Sequence, residues 1–418
     1  MSAPPIAPAR AAAFHILTKV AMSASHSDDL LHSLAVNALS AEDRNLTTAL
    51  VLGVLRWQLQ LDAVLRPMMQ RPDAELHPAA LLALRMGLFQ LLHMDRIPAH
   101  AALNESVELA KANGAAHAAG MVNAILRRVL RERGTPADPT RKKLAAVMTL
   151  EEQAHPDWLI SRWRANFGGN TARRIAEYDQ SEPPAHSLFA LDEKLPQIDD
   201  GSRLVAELAA VAMDAPARIL DCCAAPGGKT AVLAARHLEA EIIAADVNEK
   251  RLNAMRKRMG RDEATKHVQT VVADMTKPVD GALFANGFDL ILCDAPCSGT
   301  GTLARNPEIR HRLRASDLPR QAERQVAILG IALTMLRPGG RVVYSTCSLE
   351  PEENERVVEL ALRSAKNVQT VSVASLVEKL PLLHREGAAA MLHGNALRTL
   401  PGLQPCDGFF AAVLERTQ

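Results

Sequence analysis

Two short runs carry cysteines in places where chemistry is done in α/β folds. Asp294-Ala295-Pro296-Cys297-Ser298-Gly299-Thr300-Gly301 and Tyr344-Ser345-Thr346-Cys347-Ser348 each follow a short apolar, strand-like segment, and the carboxyl ends of such strands form the working edge of an α/β sheet. Two thiols there suggest covalent catalysis. The C5 atom of a pyrimidine is a poor nucleophile, so methyl transfer to it requires prior addition of a nucleophile at C6, and a thiolate suits that reversible addition. Cys347, after Ser345-Thr346, is the expected nucleophile, with its reactivity set by local charge and hydrogen bonding. Cys297 would assist breakdown of the adduct, Asp294 would stabilise charge developing on the ring, and Lys229 would favour the thiolate or position the base.

A second loop supplies a cofactor edge. Asp221-Cys222-Cys223-Ala224-Ala225-Pro226-Gly227-Gly228-Lys229-Thr230 has the small residues and paired glycines of a tight strand-to-helix turn whose backbone can approach a ligand. It is neither G-x-G-x-x-G nor a P-loop, which disfavours a nucleotide hydrolase. Asp246 ends the next strand, where an acidic side chain accepts from a ribose diol. Asp274 and Asp294 follow the third and fourth strands. Four acidic residues at successive strand ends suit the cationic S-adenosyl-L-methionine better than a pyrophosphate-bearing dinucleotide.

The elements that must hold these loops are legible from periodicity. In residues 9–132, apolar residues recur three and four apart, notably over 11–20, 46–64, 79–92 and 121–131, which indicates an all-α domain. Ser40 with Asp43 resembles a capping box, and Pro98 and Gly114 mark breaks. A Pro-, Gly- and Thr-rich break covers 134–140, and a helical stretch over 156–178 reads as a connecting element. From Arg218 onward the pattern becomes strands alternating with helices. Strands are expected at 218–223, 241–247, 268–273, 288–294 and 340–346, with edge strands near 371–373 and 408–415, in a mostly parallel sheet covered on both faces.

Composition narrows the class. With 418 residues and 48% apolar content, the chain can build several packed cores. Lys plus Arg number 48 against 47 for Asp plus Glu, so nucleic-acid affinity must come from local clusters. One such cluster is Arg127, Arg128 and Arg131 running on to Arg133 and Arg141-Lys142-Lys143; another is Arg305, Arg310 and the arginines after them. Both are candidate phosphate-facing surfaces. No signal peptide, membrane span, zinc-type cysteine spacing or C-x-x-C redox motif is read, so the expectation is a cytoplasmic protein with reduced thiols, no metal and no obligate protein partner. Cys222, Cys223 and Cys293 read as small buried hydrophobes.

Taken together, the runs at 221–230, 294–301 and 345–355 resemble the Nop/Sun family of RNA cytosine-C5 methyltransferases in their order and spacing, and Asp407-Gly408-Phe409-Phe410 resembles that family's closing strand segment. The resemblance implies Cys347 as covalent nucleophile and Cys297 as promoter of product release. It implies S-adenosyl-L-methionine contacts at Cys223, Ala224, Ala225, Pro226, Gly227, Gly228, Lys229, Asp246, Arg251, Asp274 and Asp294. The N-terminal region is similar to the NusB-type RNA-binding module through Glu42-Asp43-Arg44, Gly53-Val54-Leu55-Arg56 and Asn123-Ala124-Ile125-Leu126-Arg127-Arg128. That pairing is typical of a bacterial enzyme forming 5-methylcytidine in 16S rRNA. The expected architecture is therefore multidomain: an all-α NusB-like domain (1–140), a linker with a shortened RNA-contacting region (141–200), and an α/β Rossmann-like class I methyltransferase domain (201–418). Between 185 and 200 too little chain remains for the family's RNA-contacting subdomain, since each strand needs ~5 residues plus turns. The competing readings are a tRNA cytosine-C5 methyltransferase and a non-catalytic RNA-binding protein. The expected RNA target is an unpaired or extruded cytosine.

Overall fold

The computed structural model describes residues 6–23, 25–132, 148–184, 186–260, 265–365, 367–383 and 387–417. The basic residues Arg133, Arg141, Lys142 and Lys143, and the break at 134–140, lie outside the described residues. The chain forms two compact units, one of Met1–Glu182 with Leu303–Arg312 and one of Pro183–Thr302 with Leu313–Gln418. The stretch expected as a linker over 141–200 is therefore divided at Glu182, and the helices before that point belong to the first unit.

The first unit is helical: α1 (Pro8–Met22), the short α2 (Ser27–Leu31) and α3 (Leu34–Asn37), α4 (Ala41–Leu65), α5 (Pro78–His93), α6 (Ala99–Ala112) and α7 (Ala119–Glu132). Ser40 caps α4 as its sequence suggests, its Oγ accepting from the Asp43 amide at 3.1 Å, which satisfies one of the orphan donors of a helix start. Pro98 caps α6, and Gly114 takes a left-handed φ of 87° beyond its end, a conformation that favours glycine. Leu50, Val51 and Val54 of α4, Leu84 and Leu88 of α5, and Val122 and Leu126 of α7 form one core. Residues 41–68 are long and apolar enough to cross a bilayer, yet half of the most apolar window is buried within the protein; bundle cores and membrane spans share this composition. Where the sequence suggested one helical stretch over 156–178, there are two helices, Asp157–Phe167 and Gly169–Asp179, broken at Gly168 with φ 84°.

A buried polar cluster ties the segment 303–312 into this first unit. Arg310 is almost fully buried, and its guanidinium donates to the carbonyls of Arg56 (3.1 Å) and Ala154 (3.2 Å) and to Gln180 Oε1 (2.8 Å). His155 and Asp179 are wholly buried and meet at 3.2 Å. Burial pushes Asp179 up to about 7, against the lowering effect of Arg310 and Arg56, while burial and Arg310 hold His155 well below its ordinary value. Below about pH 7 the pair is neutral, with His155 Nδ1 donating to the Glu151 carbonyl at 2.8 Å and Nε2 accepting from a protonated Asp179.

The second unit carries a nine-stranded sheet in the order β3-β2-β1-β4-β5-β9-β8-β7, with β6 also pairing β9, among the described residues. The strands are β1 (Arg218–Asp221), β2 (Glu241–Asp246), β3 (Gln269–Val272), β4 (Phe288–Asp294), β5 (Leu336–Thr346), β6 (Val368–Val371), β7 (Leu392–His393), β8 (Ala396–Arg398) and β9 (Phe410–Arg416). The first five pair in parallel, but β9 runs antiparallel to β5, β6 and β8. The expectation of a mostly parallel sheet therefore holds for only half of it, because the short β7 and β8 have too little hydrophobic length to announce themselves. Strand β1 is buried throughout, with alternating residues in two cores: Ile219 joins Leu204, Leu208 and Leu233, while Leu220 joins Ile328, Leu329 and Val357. That two-faced burial is what a near-continuous apolar strand requires.

A carboxyl whose folded pKa is raised contributes stability that is fully present below its unfolded value and lost as pH rises through the folded one. For Asp179 the window runs from the ordinary carboxylate range to about 7. Replacing Asp179 with Asn keeps a donor for His155 but removes this titration. Denaturant unfolding should show the wild type gaining on the order of 2 kcal/mol over Asp179→Asn between pH 7 and pH 5; an unchanged gap would mean that Asp179 is ionised in the fold.

Candidate active site

The site is assembled at the carboxyl ends of β1, β2, β4 and β5. Strand order reverses between β1 and β4, and such a switch point opens a crevice for a ligand. Asp221 ends β1, buried and accepting from Thr230 Oγ1 at 2.7 Å; burial pushes it up to about 7, against that hydrogen bond. The turn after it is wired to β2. The Ala224 amide donates to the Ala245 carbonyl (2.9 Å), the Ala225 amide to Asp246 Oδ2 (3.0 Å), and Arg251 Nη2 to the Ala225 carbonyl (2.5 Å). Gly227 then caps the helix Gly228–Arg236 with a left-handed φ of 94°, which a side chain rarely tolerates. A Cβ on Gly228 would lie 2.6 Å from Ile198. Asp274, after β3, is half-exposed, and hydrogen bonds from Thr276 hold it below the ordinary carboxylate range.

Lys229 reaches from the first helical turn to Asp294, with Nζ 2.7 Å from Oδ2. It also lies 3.4 Å from Ser202 Oγ and 5.6 Å from the centre of the Phe409 ring. Burial alone would lower the Lys229 ammonium, but Asp294, Asp199 and Cys347 together carry it above its ordinary value. The other Asp294 oxygen accepts from Ser345 Oγ at 2.8 Å. Asp294 is opposite Ser345 in the β4–β5 ladder, so the loops that leave these two strands run side by side. Their cysteines meet: Cys297 Sγ and Cys347 Sγ are 3.4 Å apart. The hydrogen bond to Cys347, with burial behind it, pushes the Cys297 thiol well above its ordinary value.

Two backbone hydrogen bonds join the loops, from the Ala295 amide to the Ser345 carbonyl (2.9 Å) and from the Gly301 amide to the Cys347 carbonyl (2.9 Å). The Gly408 amide, just before β9, donates to the Gly301 carbonyl at 2.8 Å. The remaining cysteines stand apart from this chemistry: Cys222, Cys293 and Cys406 are buried and Cys223 is partly buried in the cofactor-edge turn.

The geometry brings together Cys297, Cys347, Asp294 and Lys229 as their motifs suggest. It also adds Ser345, Ser202 and Phe409, which no spacing rule singled out; Ser345 could have been inferred from its strand register, and the other two only from tertiary contact. In the first unit, Arg127, Arg128 and Arg131 stand exposed on α7, opposite buried Val122, Ile125, Leu126 and Val129. Arg128 is shared with Glu132 at 2.8 Å. Arg305 is partly buried. Arg310 corrects the sequence reading: its guanidinium is committed to buried carbonyls, and it cannot face RNA from there, because desolvated donors with good partners stay internal.

Known proteins place this arrangement. A family model described as 16S rRNA methyltransferase RsmB/F matches residues 208–415, and a NusB family model matches 7–131. A Xanthomonas campestris pv. campestris protein named ribosomal RNA small subunit methyltransferase B is 35% identical over 411 residues, covering 89% of each chain. The chain belongs to the RsmB/F methyltransferase family. A Vibrio cholerae protein of the same name is 32% identical over 437 residues, covering 93% of this chain and 94% of its own. A Bacillus subtilis relative is 29% identical over 455 aligned positions, more than the 418 residues present here, so the alignment runs through segments that this chain lacks. Among the described residues, no helix or strand lies between Asp179 and Asp200. The crystal structure of PH0851 has the same fold, with a TM-score of 0.76 at 20% identity over the full length of both chains.

An RsmB/F methyltransferase takes S-adenosyl-L-methionine, and the residues present fit it. Asp246, Asp274 and Asp294 set carboxylates along successive strand ends, matching a ligand with a ribose diol, an ammonium and a sulfonium. The glycine turn at 227–228 keeps the approach to β1 free of side chains. Ala225 and Arg251 serve this edge by fixing the turn to β2.

Gly301 offers a direct test of the assembly. A Cβ there would lie 2.2 Å from the Gly408 carbonyl oxygen and 2.9 Å from that of Cys347, and backbone cannot step aside as a flexible side chain can. Gly301→Ala should lower the melting temperature and cut methyl transfer by about tenfold or more, while calorimetric S-adenosyl-L-methionine binding stays intact. Wild-type activity in that variant would show that the loops tolerate separation.

Proposed function

We propose that this chain methylates C5 of a cytosine in 16S rRNA through a covalent adduct between Cys347 and C6 of the base, acting in the cytoplasm. The observation that carries the reading is the meeting of two thiols, 3.4 Å apart, beside the Lys229–Asp294 pair. The relatives named ribosomal RNA small subunit methyltransferase B support the choice of substrate.

The residues divide the work by their chemistry. Cys347 adds to C6, which makes C5 nucleophilic. Cys297, held as a thiol, donates its S–H toward Cys347 before attack and stands beside the adduct when it must collapse. Asp294 lies at the edge of the same site, where it can hydrogen-bond the base and stabilise charge on the ring. Lys229 anchors Asp294 and supplies positive charge beside Cys347. S-adenosyl-L-methionine supplies an electrophilic methyl group when bound. After methylation the C5 proton passes to water, the C5–H electron pair re-forms the C5–C6 double bond as the Cys347–C6 bond breaks and returns Cys347 as thiolate, and 5-methylcytidine is released.

The test is transfer of labelled methyl to deproteinised 16S rRNA and to bulk tRNA, with the product nucleoside identified. Expected is 5-methylcytidine in 16S rRNA that disappears in Cys347→Ala, and a denaturant-stable protein–RNA complex that accumulates in Cys297→Ala. Product confined to tRNA would reassign the substrate, and product in Cys347→Ala would remove the covalent step.

The exposed α7 arginines are the proposed RNA-facing patch. Replacing Arg127, Arg128 and Arg131 with Gln should weaken RNA binding and flatten its salt dependence, each lost phosphate contact reducing the slope of log K against log salt by about 0.7 to 0.9. S-adenosyl-L-methionine binding should not change. An unaltered slope would take the patch out of the interface.

A further inference from the structure

Glu353 is fully buried, yet every group that donates to its carboxylate is neutral. Oε1 accepts from the Ser298 amide (2.9 Å) and Gln325 Nε2 (3.0 Å). Oε2 accepts from Ser348 Oγ (2.5 Å) and from Ser298 Oγ. Burying a carboxylate is costly, and well-packed apolar residues often serve stability as well or better. A carboxylate does have one property no apolar side chain offers: two acceptor-only oxygens that can collect donors from separate segments. Here the segments are the loops after β4 and β5, and the residues clamped are those immediately following each cysteine.

We infer that Glu353 is a positioning residue for the reaction, fixing Cys297 and Cys347 sulfur to sulfur by holding Ser298 and Ser348 on one carboxylate. The inference rests on reading those thiols as the reacting groups. The surroundings make the clamp rigid. Ser298 Oγ and Ser348 Oγ lie 3.0 Å apart, and Tyr344 OH, on β5, donates to the Glu353 carbonyl at 2.5 Å. Gln325, on the helix Asp317–Thr334, also donates to the Pro296 carbonyl at 3.0 Å, so the residue before Cys297 is held as well. Asn354 donates to the Ser348 carbonyl at 2.9 Å and accepts from Thr346 Oγ1 at 2.5 Å, bracketing Cys347. The Glu353 charge also helps keep Cys297 protonated, after the hydrogen bond to Cys347 and burial.

The experiment measures the two sulfurs directly. Diamide takes two protons and two electrons from a pair of thiols to form a disulfide, and peptide mapping of the intact chain reads the Cys297–Cys347 bond specifically. In Glu353→Gln, one acceptor becomes an amide donor facing the serine hydroxyls. Its rate of Cys297–Cys347 disulfide formation and its kcat should each fall by about tenfold or more, with KM for RNA and for S-adenosyl-L-methionine within about twofold of wild type. A wild-type disulfide rate overturns the inference, whether or not kcat changes. If Glu353→Gln loses its melting transition, Ser298→Ala with Ser348→Ala removes both hydroxyls without touching the carboxylate, and the same readouts decide. The disulfide rate stands apart from activity, so a chain that methylates no RNA would sink the functional reading and leave the positioning test standing.

Discussion

The site hangs on the parallel pairing of β4 with β5. That ladder sets Asp294 opposite Ser345, and the two chains then leave the sheet on the same edge with their cysteines three residues and two residues further on. Parallel neighbours point their carboxyl ends the same way, so a thiol placed shortly after each strand meets the other without any long-range search. A one-residue slip would turn the side chains of one strand to the opposite face and break the Ser345–Asp294 hydrogen bond. The buried clamp on Ser298 and Ser348 and the backbone hydrogen bond from Gly301 to Cys347 then convert adjacency of strands into contact of sulfurs.

Around that contact the charges are few and each is answered. Lys229 and Asp294 form a pair at the mouth of the β1–β4 crevice, and Ser345 and Ser202 satisfy what remains. A pair largely removed from water is weak support for stability but strong support for geometry. Its location at the strand-order switch, beside two thiols, supports the role proposed for it in the chemistry. Asp221, deeper and raised to about 7, belongs to the opposite class: its bond to Thr230 closes the start of the helix Gly228–Arg236 and keeps the cofactor edge in shape.

The first unit solves a different problem. On its helical scaffold α7 turns its apolar residues inward and its arginines outward. The same unit shows that an arginine in a basic run need not face solvent. Arg310 gathers carbonyls from the middle of α4 and from the ends of the helices Leu150–Gln153 and Gly169–Asp179, doing internally what a phosphate-facing arginine does externally. Long side chains with planar donor forks serve either purpose, and only burial distinguishes them.

The methyltransferase class was legible in the chain itself. Cysteines, an aspartate and a lysine at the ends of three apolar strands suit the proposed reaction, because few side chains can add to a pyrimidine ring. The five parallel strands and the long helices of the first unit follow from hydrophobic period, and the cap at Ser40 from side-chain type. What tertiary structure alone decided are the facts that depend on pairs distant in the chain: the antiparallel half of the sheet, whose strands β7 and β8 span two and three residues; the burial of Arg310; and the convergence of Ser298, Ser348 and Gln325 on Glu353. Local sequence sets propensity and reactivity, which are properties of one residue and its neighbours. Burial and hydrogen-bond partnership are set by whatever the folded chain brings alongside.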